Sequence, residues 1–190
     1  MKTAIIVHGW DNKEEFFDLN KASPSNAYWI PWIQKRLGVA GITAQTPEMP
    51  ESWIPRYEKW QKTFELFPRD EETILIGYSC GGGFLVRWLS EHDIKVGQLI
   101  LVAPWIDPTK ELGQENDFFD FDMDSDLVKK TSQGVTLFYS TDDDDVVLQS
   151  VEKIKATIPD IKIREFTDKG HFTTGDGVSE FPELLEEITL

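Results

Sequence analysis

Short apolar runs alternate with longer amphipathic stretches along almost the whole chain, and this alternation restricts the fold more than any other feature. The apolar runs predict six strands, at residues 4–7, 41–44, 73–76, 97–103, 135–139 and 161–166. The stretches between them carry apolar residues at helical spacing and predict helices over 28–37, 55–67, 79–90, 147–158 and 182–190. Strands of continuous apolar character, separated by helices, are typical of βαβ units. The sequence therefore predicts an α/β protein with a doubly wound, mostly parallel sheet of about six strands and helices on both faces.

The domain organisation follows from the length. A chain of 190 residues can bury a core of its own, and we find neither an internal repeat nor a linker. We therefore expect a single domain over residues 1–190. Residues 105–125 break the alternation, because they combine Pro108, Gly113, three Phe and many acids with no sustained period. This segment is predicted to be an irregular loop or a small lid.

The charge of the chain limits its partners. Asp and Glu number 34 against 19 Lys and Arg, a formal net charge of −15. This balance argues against binding to a nucleic acid backbone and to an anionic membrane surface. The apolar runs are too short to span a bilayer, and the N-terminus lacks the pattern of a signal peptide. A cytoplasmic location is the expectation.

The strongest chemical signal is the sequence Gly-Tyr-Ser-Cys-Gly at residues 77–81. It follows a predicted strand and begins a predicted helix, which is the setting of the nucleophile elbow G-x-S-x-G. In such an elbow the serine lies on a tight turn, and the helix N-terminus supplies N–H donors for an oxyanion. Ser79 is therefore the candidate nucleophile. The alternative is a glycine-rich helix start that only packs closely.

A serine nucleophile needs a base and an acid. His92 lies at a polar helix end and is expected to be a solvated surface residue, whereas His8 and His171 both follow strands, where open α/β sheets place ligand groups. The chain order serine, acid, histidine favours His171 as the base. The acid is expected among the four Asp at residues 142–145, only one of which can turn inward, since buried like charges raise one another's pKa.

In these motifs the chain resembles the small single-domain α/β-hydrolase family typified by retinoblastoma-binding protein 9 and its bacterial serine hydrolase relatives. The motifs are His-Gly at 8–9, Gly-Tyr-Ser-Cys-Gly-Gly at 77–82, Ser-Thr-Asp-Asp at 140–143 and Phe-Thr-Asp-Lys-Gly-His-Phe at 166–172. The resemblance implies an α/β-hydrolase fold in which Ser79 is the nucleophile, His171 the base and Asp143 the acid. Asp142 is the alternative acid, because relatives often carry Pro soon after this pair and this chain does not.

The same resemblance implies an oxyanion site formed by the backbone N–H groups of Trp10 and Cys80. It gives His8 a role in shaping the loop that carries Trp10. It also implies a substrate class, small carboxylic esters and by extension thioesters or amides, with no cofactor. From its place after the elbow serine, Cys80 is expected to be structural and not a thiol nucleophile.

No metal or nucleotide site is expected. Residues 120–126 resemble the start of a calcium loop, but Ser125 and Thr131 stand where that loop needs Gly and Glu. No glycine-rich phosphate motif follows a strand.

The sequence thus predicts a serine hydrolase, and more narrowly a carboxylesterase, that works through an acyl-enzyme. Trp105 and Phe172 are the candidate walls of its substrate pocket. Two alternatives stay open: an acyltransferase with the same triad, and a protein-binding module with a vestigial site. The oligomeric state is not predicted.

Overall fold

The computed structural model describes residues 2–189, which form one six-stranded sheet in the order β2-β1-β3-β4-β5-β6. Every neighbouring pair of strands is parallel. The strands are β1 Thr3–Val7, β2 Thr43–Gln45, β3 Ile74–Tyr78, β4 Gln98–Val102, β5 Val135–Ser140 and β6 Lys162–Phe166. The predicted doubly wound parallel sheet is confirmed. Its strand order reverses between β1 and β3, and ligands of open α/β sheets bind at such a point, beyond the carboxyl ends of the strands.

Helices cover both faces of the sheet. They are α1 Lys13–Phe16, α2 Ile30–Val39, α3 Tyr57–Phe64, α4 Cys80–Glu91, α5 Asp145–Thr157 and α6 Pro182–Thr189, with 3-10 turns at Pro24–Asn26 and Leu127–Lys130. Helices α3, α4 and α5 bury their apolar sides against one face of the sheet, and α2 and α6 bury theirs against the other. Successive strand residues such as Leu99 and Ile100 belong to opposite cores. Both faces are therefore buried, which explains the continuous apolar runs.

The segment at 105–125 contains neither helix nor strand, and its own side chains hold it in place. The Asp107 carboxylate accepts hydrogen bonds from the N–H groups of Glu111 (2.6 Å) and Leu112 (3.0 Å). Arg87 of α4 donates to the carbonyl of Phe118 at 3.0 Å, and the Phe118 side chain is fully buried. The segment is an ordered irregular loop anchored on α4.

Candidate active site

Ser79 lies between β3 and α4 with φ 52° and ψ −121°. A positive φ is unfavourable for a residue with a side chain, so the surrounding structure must hold it. The Ser79 N–H donates to the carbonyl of Val102 at 2.9 Å, and the Ser79 carbonyl accepts from the N–H groups of Gly82 at 2.9 Å and Trp105 at 3.0 Å. These bonds to β4, α4 and the following loop fix Ser79 at the carboxyl edge of the sheet.

Gly77 and Gly81 of the motif are required because the backbone of another segment lies too close to leave room for a side chain. A Cβ atom on Gly77 would lie 2.6 Å from the Cα atom of Gly82, and one on Gly81 would clash with the carbonyl oxygen of Val7. A side chain at either position would push α4 away from β1 and β3. The spacing of the motif therefore reflects how closely this helix start packs against the sheet.

Ser79, His171 and Asp143 come together although they are far apart in the sequence. The Ser79 Oγ lies 2.9 Å from Nε2 of His171, and Nδ1 of His171 lies 3.0 Å from both carboxylate oxygens of Asp143. The Asp143 side chain is 1% exposed and that of His171 is 27% exposed. Such an arrangement can move a proton from the hydroxyl to the imidazole and stabilise the imidazolium that results.

The carboxylate of Asp142, the alternative acid, bonds to groups other than the imidazole. Its carboxylate accepts hydrogen bonds from the Ser140 hydroxyl and from the N–H of Gly170, the latter at 3.0 Å. The hydrogen bond from Ser140 lowers the pKa of the Asp142 carboxyl. Ser140 also accepts from the N–H of Lys169 at 3.1 Å. Asp142 and Ser140 thus hold the turn that carries His171.

Two further residues hold His171, and the sequence analysis did not identify either role. The Tyr78 hydroxyl donates to the carbonyl of His171 at 2.7 Å, and burial raises the pKa of this phenol well above its usual range, so it stays a donor. Phe172 is fully buried between Phe166 and Phe181, with ring centroids 5.8 and 5.2 Å away. Phe172 therefore anchors the turn in the core and does not line the cavity, contrary to the sequence prediction.

The loop after β1 carries Trp10 and is held by His8. The His8 ring is 1% exposed; its Nε2 accepts from the N–H of Met49 at 2.8 Å, so its Nδ1–H donates to the carbonyl of Gly9, also at 2.8 Å. Burial lowers the pKa of His8, which favours the neutral ring that both bonds require. Within residues 2–189, the backbone N–H groups of Trp10 and Cys80 have no protein acceptor.

Neither Cys80 nor His92 is placed to react. The Cys80 side chain is fully buried, and burial raises the pKa of its thiol well above the usual range, which disfavours a thiolate. His92 lies at the opposite end of α4 from Ser79. It is half-buried and stacks on Trp88 at 4.5 Å, although the sequence predicted a solvated residue.

A cavity of about 600 Å³ opens above Ser79 and His171. Its apolar and aromatic walls are formed by Trp10, Tyr28, Trp53, Ile54, Trp105, Leu112, Val146 and Val147. Trp105, predicted as a pocket wall, lines it and is 8% exposed. In the described part of the chain, no three His, Cys, Asp or Glu side chains form a metal-binding group, and no helix combines the length and apolarity needed to cross a bilayer.

Comparison with known proteins is consistent with this geometry. YdeN of Bacillus subtilis (strain 168) is 27% identical over 192 residues, which cover 99% of this chain and 95% of YdeN. Serine hydrolase RBBP9 of Rattus norvegicus is 29% identical over 166 residues, 84% of each chain. The crystal structure of YdeN aligns over 100% of this chain and 97% of its own, at 26% identity and a TM-score of 0.82. Est1E from Butyrivibrio proteoclasticus shares the fold, with a TM-score of 0.62 at 14% identity over 100% of this chain and 89% of its own. Residues 4–189 match the family model described as serine hydrolase, so the chain has the α/β-hydrolase fold and belongs to the serine hydrolase family.

Proposed function

We propose that the protein is a carboxylesterase that hydrolyses small esters through an acyl-enzyme on Ser79. The observation that carries this proposal is the continuous hydrogen-bond chain from the Ser79 hydroxyl through His171 to Asp143. Ser79 and His171, at one end of these hydrogen bonds, line the cavity. Nucleophile, base and acid are thus aligned where a substrate can reach the nucleophile.

In the proposed reaction, the Ser79 oxygen attacks the ester carbonyl carbon while Nε2 of His171 takes the hydroxyl proton. Asp143 stabilises the imidazolium, and the N–H groups of Trp10 and Cys80 bind the oxyanion of the tetrahedral intermediate. The intermediate collapses, the bond to the alcohol oxygen breaks, and His171 gives its proton to that oxygen. Water then attacks the acyl-enzyme with His171 again as base, which releases the acid and restores Ser79.

The cavity supports a small, uncharged acyl group. Its volume of about 600 Å³ lies within the range of small-molecule sites, about 300–1,000 Å³. The Trp105 ring closes one wall. Within residues 2–189, no Lys or Arg lines this cavity, so a phosphate-bearing thioester or acceptor would find no counterion there. A simple carboxylic ester fits these walls best.

Covalent labelling tests the proposal. A fluorophosphonate probe followed by peptide mapping is expected to modify Ser79 alone. Ser79→Ala should abolish labelling, whereas Ser179→Ala, which changes an exposed serine outside the cavity, should label like the wild type. Labelling at another residue, or none in folded protein, would contradict the proposal.

Kinetics provide the second arm of this test. Ser79→Ala and His171→Ala should each lower kcat by about 10⁴ or more, and the double variant should be hardly worse, because triad members act as a unit. Additive losses would show that the two residues act independently. Product analysis with an added alcohol distinguishes hydrolysis from acyl transfer, since a hydrolase should yield mainly the free acid.

A further inference from the structure

The cavity walls carry a one-sided charge. Among the described residues, four carboxylates line the cavity and no Lys or Arg does; the acids are Asp11, Glu15, Glu111 and Asp144. The other walls are largely aromatic and aliphatic. Because these acids share a cleft with low-dielectric walls, their field is focused on the bound molecule, where it favours a positive charge.

Among these acids, Asp11 lies on the loop after β1. It follows Trp10 and is only partly exposed. Its carboxylate accepts from the N–H of Asn12 at 2.9 Å, and among residues 2–189 no cationic group lies within 4 Å of it. Glu15 differs, because it has Lys21 at 3.7 Å. Burial raises the pKa of Asp11, and the neighbouring carboxylates of Glu15 and Glu48 act in the same direction, whereas the N–H of Asn12 and the ammonium of Lys21 oppose the shift.

The position of His171 shows which part of a substrate comes near Asp11. His171 must give its proton to the leaving alcohol, so the alcohol side of the ester lies toward this imidazole. The His171 ring is 5.3 Å from that of Tyr78, whose ring is 5.8 Å from that of Tyr28. Tyr28 in turn interacts with the carboxylates of Asp11 and Glu15, which together with burial raise the pKa of its phenol.

A second cavity continues in the same direction. It measures about 320 Å³ and shares five lining residues with the first, namely Trp10, Asp11, Glu15, Tyr28 and Tyr78. Lys21 also lines it and faces Glu15. The path from His171 toward the alcohol side therefore passes the aromatic ring of Tyr28, 39% exposed, and the carboxylate of Asp11, which has no ion pair among residues 2–189.

We propose that this side of the site selects esters of cationic alcohols, with Asp11 as the specificity-determining residue. The proposal rests on the proposed esterase function. The ammonium group of the leaving alcohol lies beside the Asp11 carboxylate, and the exposed rings of Tyr28 and Trp10 add cation–π attraction. An uncharged alcohol of equal shape gains neither interaction, and an anionic one is repelled.

The test uses two esters that differ only in charge, acetylcholine and 3,3-dimethylbutyl acetate, in which carbon replaces the nitrogen. Each kcat/KM is divided by the rate constant for hydroxide hydrolysis of the same ester, which removes intrinsic reactivity. The wild type is expected to prefer the cationic ester by about tenfold, the lower end of cleft electrostatic effects. The preference should fall as salt is added, since salt screens partly exposed charges.

Asp11→Asn is the informative variant, because asparagine keeps the shape and the oxygen that accepts from Asn12. It should lower the cationic preference severalfold. Glu186→Gln is the matched control, since it removes one negative charge from an exposed position on α6 that lines neither cavity. Its preference should equal that of the wild type. Equal preference in the wild type and in Asp11→Asn, or a wild-type preference for the neutral ester, would overturn the proposal.

Binding of choline, measured by titration calorimetry, separates this proposal from the esterase function. The wild type and Glu186→Gln should bind choline equally, and Asp11→Asn should bind it at least severalfold more weakly. If Ser79 does not react with the fluorophosphonate probe, the esterase function fails while this binding result still decides the cation site. If wild-type protein hydrolyses esters but does not bind choline, the cation site is refuted and the esterase function stands.

Discussion

The single side chains around Ser79 divide into those placed to react and those that hold them. His171 contacts both Ser79 and Asp143 through its two ring nitrogens, whereas Tyr78 and Asp142 bond to the backbone of the turn that carries it. The first group defines the proposed chemistry. The second group holds the His171 ring in one orientation, whereas a partly exposed histidine on a loop without such contacts would adopt several.

The neighbouring residues Asp142 and Asp143 should differ strongly in their effect on kcat. Asp143→Asn should leave the fold intact and lower kcat by about 10³–10⁴, because the amide favours the wrong imidazole tautomer. Asp142→Asn should cost far less, since its amide oxygen can still accept from Gly170 and Ser140. Both effects are measured as kcat on a small ester, with circular dichroism to confirm folding.

Asp145→Asn is the control for this pair, because Asp145 is exposed and lies outside the cavity. It should retain wild-type kcat. If Asp142→Asn proves the more damaging change, the proposed roles of the two acids are reversed.

Among the secondary structure elements, the edge strands β2 and β6 give a weak apolar signal, because their residues are half-buried or exposed. The central strands β1, β3, β4 and β5 were predictable because nearly all of their residues are buried. The short helix α1 was not, since four residues make a single turn and cannot display a helical period. It is fixed by the Asn12 side chain, which caps the N–H of Glu14 at 2.9 Å, and by Phe16, which packs on Trp53 at 4.6 Å. Neither contact can be predicted from the sequence pattern of these residues alone.

The candidate site was predictable to the extent that motifs specify backbone geometry. The elbow motif placed Ser79, and chain order placed His171. The residues alone could not resolve the run of four Asp, and only the family resemblance favoured Asp143 over Asp142. The choice depends on a turn in which the N–H of Asp143 bonds to the carbonyl of Ser140 at 3.2 Å. Phe172 was misplaced because its φ of 58° turns the chain sharply after His171, and no residue pattern indicates that turn.

The loop after β4 contributes Trp105 to the proposed substrate pocket. Trp105 lines the cavity and packs on Phe119, with the ring centroids 5.5 Å apart. Trp105→Ala should move the preferred acyl chain toward greater length and leave the shortest ester nearly unchanged, since each fitted methylene contributes about 1–3 kcal/mol. The N–H bond from residue 105 to Ser79 is retained by alanine. A series of p-nitrophenyl esters of increasing acyl length measures the shift.

Phe118→Leu is the matched control for this change. Phe118 belongs to the same loop but is fully buried against Trp60 and lies outside the cavity. It should lower stability and leave the acyl-length profile as in the wild type. Proportional loss on all esters in Trp105→Ala would assign that ring to the core and refute the pocket role.

The whole molecule carries 15 more negative than positive charges, and this excess should control its stability. Like charges are closer together in the folded chain than in the unfolded one, so their repulsion favours unfolding. Exposed ion pairs such as Lys129–Asp126 oppose this only weakly, because water and salt screen them. The pair of Lys162 with Glu187, whose side chain is 4% exposed, is screened less by salt than exposed pairs are.

Salt should therefore stabilise this protein near neutral pH. Raising NaCl from about 20 mM to about 500 mM shortens the screening length severalfold and should raise Tm by a few degrees, as followed by circular dichroism. Near the sequence pI of about 4.5 the net charge is close to zero, so the same addition should change Tm little or lower it. A lower Tm with salt at pH 7 would mean that attractive ion pairs outweigh the repulsion of the excess carboxylates.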